Sequence, residues 1–309
     1  MHRRHFLKSA TAAAGSAYLL HTLPAFGNPA ASLQVACQQY TWFSYFRREG
    51  KDWSEDLNAS LQAFTSSGIQ GFEPSFESAA QVDTLQPLLK QHRVWTKSLY
   101  VNSTLHKAAE IEKSMANALA VAKAAKPMGV EIVVTNPSPI QWGGPENKTD
   151  AQLKIQANAL DQLGKELRQL GMKLAYHNHD MEMRESAREF HHMLLGTDPE
   201  NVHLCLDAHW IYRGAGNSQV ALFDITNLYA ERIVELHLRQ SHNGIWSEVF
   251  EAGDIDYERL AEMLLGKNIH PHVVLEQAVE EGTPHTMDTV EANRKSLAHV
   301  HEVFNKLAG

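Results

Sequence analysis

Two hydrophobic rhythms alternate along this chain. Short, β-rich apolar runs occur eight times: LQVACQQY (33–40), IQGFEPS (69–75), VWTKSLYV (94–101), VEIVVTN (130–136), MKLAYHN (172–178), VHLCLDA (202–208), IVELHLRQ (233–240) and HVVLEQA (272–278). Their shortness and their content of Val, Ile and Tyr predict strands. Elsewhere apolar residues recur at helical spacing. Leu57, Leu61 and Phe64 make one stripe, and Ile111, Met115 and Leu119 a second. Leu153, Ala157, Leu160, Leu167 and Leu170 make a third, and Val290, Leu297, Val300 and Phe304 close the chain. Gly68 and Gly171 stand just past two of these stripes, where helices end.

Eight strand–helix units predict an α/β fold of the (β/α)8 barrel type, a class that typically takes about 250 residues. Residues 31–309 are expected to form this one domain. A doubly wound open sheet would place a glycine-rich phosphate turn after its first strand. The stretch CQQYTWFS has none. In a barrel the chemistry sits at the C-terminal ends of the strands. The residues there are Gln39, Glu73, Asn102, Asn136, His177, His179, Asp207, His209, His237 and Glu276. Polar groups at one or two strand ends would be ordinary solvation; polar groups at all eight predict a site.

Composition narrows what the site can serve. The chain has 309 residues, 43% hydrophobic and 21% charged, enough to build a packed core. Its net charge is −8 and the mature part carries no basic cluster. That excludes a phosphate-backbone track and hence a nucleic-acid partner. The two cysteines, Cys37 and Cys205, lie in different apolar runs, which predicts buried free thiols. Residues 1–30, MHRRHFLKSATAAAGSAYLLHTLPAFGNPA, resemble a twin-arginine export signal. Arg3 and Arg4 precede Phe6 and Leu7, and small residues follow an apolar stretch too short and too rich in Ala, Gly and Ser to span a membrane. This predicts a periplasmic protein, folded before export by the twin-arginine export machinery and cleaved between about Ala25 and Ala31.

His177, Asp207, His237 and Glu276 offer two imidazoles and two carboxylates. That mixture suits one divalent metal ion of the Mn, Co, Fe or Zn kind better than calcium, which takes oxygen alone. Such an ion polarises a sugar carbonyl and its neighbouring hydroxyl and acidifies the adjacent C–H.

The motifs GIQGFEP, LAYHNHDMEM, VHLCLDAHWIYRGAG, IVELHLRQ, EAGDIDYERL and VVLEQA occur in this order over nearly the whole mature chain. Together they resemble the sugar phosphate isomerase/epimerase superfamily of xylose isomerase-like barrels, and within it the branch marked YHNHD. The resemblance implies that His177, Asp207, His237 and Glu276 hold the metal. It also implies that His179, Glu276 and Glu73 are the acid/base candidates. Trp210, Trp246, Arg213 and Asn136 are candidates for substrate contact, although core packing is equally open to the tryptophans and a hydrogen bond to Glu73 is open to His179. Two departures stand out. Many members end the fifth strand Glu-Asn-His, whereas this chain has His177-Asn178-His179, which raises the site charge by one. Their Asp-x-x-His is here Asp207-Ala208-His209-Trp210.

The expected function is a metal-dependent isomerase or epimerase acting on a keto-sugar or cyclitol by enolisation. A 3-keto-glycoside lyase or hydratase using the same pocket is the alternative, because the lost carboxylate serves many epimerases as one of two opposed bases. A non-catalytic sugar-binding protein has less support, since the ligand set is full. The partner is a small sugar, and a homo-oligomer is compatible with this reading.

Overall fold

The computed structural model describes residues 32–308. The export signal expected over residues 1–30 lies outside the described residues. Among the described residues there are ten strands. β1 is Val35–Gln38, β2 Gly71–Glu73, β3 Ser98–Tyr100, β4 Ile132–Thr135, β5 Lys173–His177, β6 Val202–Asp207 and β7 Ile233–Leu238. A two-stranded hairpin follows, β8 Ser241–His242 and β9 Ile245–Trp246, and β10 is His272–Leu275. The helices are α1 Gln39–Arg48, α2 Leu57–Ser66, α3 Ala79–His92, α4 Ala108–Ala125, α5 Asp150–Gln169, α6 Arg184–Leu195, α7 Ala208–Gly214, α8 Gln219–Tyr229, α9 Tyr257–Gly266 and α10 Thr289–Phe304. In α6, Glu185, Ser186 and Ala187 take left-handed backbone angles, so its regular part begins after them.

Eight parallel strands run in the order β2-β1-β10-β7-β6-β5-β4-β3. Hydrogen bonds flanking the short strands β2 and β3 bring the two ends of the sheet together, Phe72 N to Trp95 O at 2.9 Å and Tyr100 N to Pro74 O at 2.8 Å. The result is the expected (β/α)8 barrel. All eight strands lie inside the runs read from the sequence, trimmed at their ends. The first run stops early because Gln38 turns the chain directly into α1, its side chain accepting from Tyr40 N. Gln39 is therefore helical rather than strand-terminal.

Alternation along each strand divides the side chains between two layers. Leu174, Tyr176, Leu204, Leu206, Leu236 and Leu238 face the helices in the main core. Tyr100, Ile132, Val134, Ala175 and Cys205 form a separate buried cluster inside the barrel. Both cysteines are buried and free, as expected. None of the helices among the described residues is long and apolar enough to cross a membrane.

Local chemistry fixes where the helices start. Thr149 and Gln152 form a reciprocal capping box at α5, and Asp207 caps α7 by accepting from Trp210 N. Gly214 ends α7 against the loop that follows β5. A Cβ there would stand 2.7 Å from Met183 Cβ and 2.9 Å from Asp180 Cα, so glycine lets α7 lie close beneath the segment carrying His179. Replacing Thr149 with alanine is expected to cost about 1 kcal/mol, read as a lower denaturant midpoint with an unchanged slope.

Candidate active site

Three neighbouring strands and β5 bring four donors together. Asp207 pairs in register with His237 across β6 and β7, and Val274 of β10 lies level with His237 on the other side. Glu276 follows β10 by one residue, two positions beyond Val274. His177 ends β5. One ligand atom from each of His177, Asp207, His237 and Glu276 lies within 4.8 Å of the others, and all four residues are buried.

The spacings suit an ion. His177 Nε2 is 3.6 Å from Asp207 Oδ2 and 4.0 Å from Glu276 Oε2, and His237 Nδ1 is 3.3 Å from Glu276 Oε2. Tetrahedral bonds of about 2.1 Å would leave ligand atoms about 3.4 Å apart. Both ring nitrogens of His177 and Oδ2 of Asp207 are buried with no hydrogen-bond partner among the described residues. Buried polar atoms are rarely left so. Asp207 spends Oδ1 on Trp210 N at 2.8 Å, which leaves Oδ2 for a ligand. The residues present therefore fit a divalent ion, and His177, Asp207, His237 and Glu276 are those that would hold it.

Electrostatics prepare the same set. Burial, then His237, depress His177 to about 3, so its imidazole is neutral. Burial, then the charge of Glu276, raise Asp207 to about 7. At Glu276 burial opposes ionisation, but Arg239 and His237 outweigh it and hold the carboxyl well below its usual range. His237 is supported from behind. Its Nε2 is 3.1 Å from Glu235 Oε1 and 3.2 Å from Glu73 Oε1. Carboxylates behind a ligating imidazole fix its tautomer and orientation.

A cavity of about 440 Å³ opens beside this cluster, walled by Gln38, Tyr100, His179, Trp210, Arg239 and Glu276 among others. His179 shows part of its ring there, 4.9 Å from the ring of His177 and 4.9 Å from Trp142. Its Nδ1 has no hydrogen-bond partner among the described residues, and its backbone N–H donates to Glu182. Burial, then His177, lower it to about 3, so it is a neutral base.

Several sequence expectations need correction. Glu73 does not line the cavity. It sits behind His237, fully buried, with Oε2 accepting from Ser98 Oγ at 2.7 Å. Asn136 is also buried and donates to His177 O at 3.0 Å and Glu182 Oε1 at 3.2 Å, so it braces the β5 turn rather than meeting a ligand. Arg213 is held by both carboxylate oxygens of Glu280 at 2.9 and 2.7 Å. Trp246 lies behind Trp210, ring centres 5.5 Å apart, and borders a different cavity. Trp210 remains on the wall, with His179 and Glu276.

Arg239 was missed. The stretch Glu235-Leu236-His237-Leu238-Arg239 alternates polar and apolar, and that parity puts Glu235, His237 and Arg239 on one face. Its Nε donates to Glu276 O at 3.0 Å and its Nη2 stands 3.1 Å from Glu276 Oε2.

Two outcomes follow. Asp207→Asn keeps a good helix cap but removes the anionic ligand, so bound divalent metal is expected to fall sharply, by elemental analysis, with little change in melting temperature. In the metal-free protein Asp207 is protonated below about pH 7, so binding releases a proton there. Metal affinity by chelator competition is expected to climb as pH rises through about 7 and to go on climbing above it, because His237, held well above the usual imidazole range, must also lose a proton to bind.

The sequence profile described as xylose isomerase-like TIM barrel matches residues 61–301. An inosose dehydratase of Salmonella typhimurium is 24% identical over 176 residues, which cover 51% of this chain and 56% of that protein. The chain thus spans about half the length of the curated relatives it matches. A sugar phosphate isomerase/epimerase from Parabacteroides distasonis superposes with TM-score 0.68 at 14% identity, covering 88% of this chain and 96% of the other. The 3-keto-D-glucoside 4-epimerase of E. coli gives 0.62 at 14% identity, covering 86% and 98%. With the profile spanning most of the barrel and the strand order matching it, this chain belongs to the xylose isomerase-like TIM barrel family.

Proposed function

We propose that this protein is a metal-dependent sugar isomerase or epimerase that enolises a keto-sugar or cyclitol. The observation that carries the reading is the buried set of four donors within 4.8 Å, with unpartnered atoms on His177 and Asp207, next to a sugar-sized cavity. A divalent ion held there supplies a Lewis acid for a ketone and its neighbouring hydroxyl. The chain's residues do the rest. His179, neutral and on the cavity wall, takes the proton from the carbon beside the ketone and returns it to the neighbouring carbon, which gives the isomer; for epimerisation Glu276, on the same wall, is the candidate second group. Trp210 gives an apolar face for the sugar ring. Glu73 and Glu235 keep His237 oriented. The names of the relatives, inosose dehydratase and keto-sugar epimerase, are in keeping with a ketone-bearing carbohydrate.

One observation favours a second reading, elimination from a 3-keto-glycoside. Epimerisation calls for a base on each face of the planar intermediate. Here His177 replaces a carboxylate, and Glu73 stands behind His237. With His179 as the free base near the donors, removal of one C–H proton, formation of a C=C bond and departure of a β-oxygen is the shorter course. The YHNHD branch and its keto-sugar chemistry belong to this proposal. So does export: residues 1–30 act as a twin-arginine signal for the barrel of 31–309, and the protein works in the periplasm.

His179→Ala is expected to retain metal and lose about a hundredfold in turnover. Incubation with free ketoses and 3-keto-glycosides, read by mass spectrometry, separates the readings, since isomerisation conserves mass and elimination splits the substrate. Full turnover in His179→Ala would remove it from the chemistry. Changing Arg3 and Arg4 to lysine is expected to hold the protein in the cytoplasm, by fractionation; undiminished periplasmic recovery would contradict twin-arginine export.

A further inference from the structure

Arg239 is 1% exposed yet stands on the wall of the site cavity, beside Trp210 and Glu276. Its guanidinium is locked. Nε and Nη2 are spent on Glu276, at 3.0 and 3.1 Å. Its plane lies over Trp246, 4.2 Å to the ring centre, with Trp210 at 5.1 Å. Nη1 is buried and has no hydrogen-bond partner among the described residues. A guanidinium carries five N–H donors and no acceptor. Leaving part of it dry and unpaired is costly unless a ligand completes it.

Charge points to the kind of ligand. In the donor set two carboxylates, Asp207 and Glu276, would balance a divalent ion, and His177 adds none. The carboxylate of Glu73 lies behind His237, away from the cavity, so Arg239 is the charge next to the donors that faces it. Its neighbour across Trp246, Arg213, has a carboxylate of its own in Glu280, 2.7 Å away. On the cavity wall Asp180 and Arg184 offset each other in sign. The cation on the cavity wall beside the donors is Arg239.

We propose that Arg239 is the anion-binding group of the site, taking a negatively charged oxygen of the bound sugar on its free Nη1 edge. This rests on the enolisation reading. The negative oxygen has two sources: a carboxylate that the substrate carries, or the enediolate oxygen formed once the proton leaves. Fixed by two indoles and one carboxylate, the guanidinium needs no rearrangement when that charge arrives.

The test is calorimetric binding to Mn-loaded wild type, Arg239→Gln and Arg239→Lys, with metal content measured in each. The probes are D-fructose, its chain-matched acid 2-keto-D-gluconate, and a sugar hydroxamate that mimics the enediolate. The expected result is a loss of about tenfold or more in Arg239→Gln for an anionic probe, a smaller loss for D-fructose and partial recovery in Arg239→Lys. Loss on the keto acid assigns a substrate carboxylate; loss confined to the hydroxamate assigns the enediolate. Metal-replete Arg239→Gln that binds both anions as the wild type does overturns the proposal. Should that variant lose its metal, wild type alone decides: affinity for D-fructose equal to or above that for both anions also overturns it. Wild type that binds no Mn contradicts the metal reading instead, and the same titrations on it still test Arg239, whose charge does not depend on the ion.

Discussion

Everything at this barrel mouth hangs on how His237 is held. Its ring has carboxylates on both sides, Glu235 and Glu73 at Nε2 and Glu276 at Nδ1, all three buried. Three carboxyls cannot all be ionised there without compensation. The structure divides them. Glu235 is pushed well up, by burial and by the charge of Glu73, and so keeps a proton. Burial resists ionisation of Glu73, but His237 prevails and lowers it to about 2. Glu276 is ionised against Arg239. The inner pair thereby fixes one nitrogen of His237 and leaves the other facing the donors.

That constraint explains the plan of the barrel interior. Beside apolar Ile132, Val134 and Ala175 runs a polar column, Ser98 to Glu73 to His237. Such a column is expensive to bury, and its use is to aim one imidazole. Asp207 follows the same economy, capping a helix with one oxygen and presenting the other. Asn136 and Asn178 do for the β5 turn what Glu73 does for His237. Asn178 accepts from Asp207 N at 3.3 Å, and Asn136 holds His177 O. The ring of polar strand ends is thus two tiers, an upper one facing the cavity and a lower one that orients it.

This tiering shows what the chain alone could reveal. Strand count, barrel class and the helix stripes were legible because periodicity reports which face a residue takes. His177, Asp207, His237 and Glu276 were legible because each ends an apolar run. Depth was not. Parity tells that Glu73 points inward but not that β2 has three residues and leaves it behind His237. Nor can spacing show a partner 67 residues away, so Arg213 read as a candidate for substrate contact when Glu280 holds it. Arg239 escaped notice for the opposite reason. Its partner Glu276 was already assigned to the metal, and an arginine after a strand reads as solvated until both indoles are seen to cover it.

The central claim is that an ion belongs between these four side chains and not deeper, where Glu73, Glu235 and His237 also come within reach of one another. The direct measurement is a crystal of the Co- or Zn-loaded protein with data collected at the metal's absorption edge. The account predicts one anomalous peak within bonding distance of His177, Asp207, His237 and Glu276. A peak between Glu73 and Glu235, or none in a loaded crystal, would contradict it.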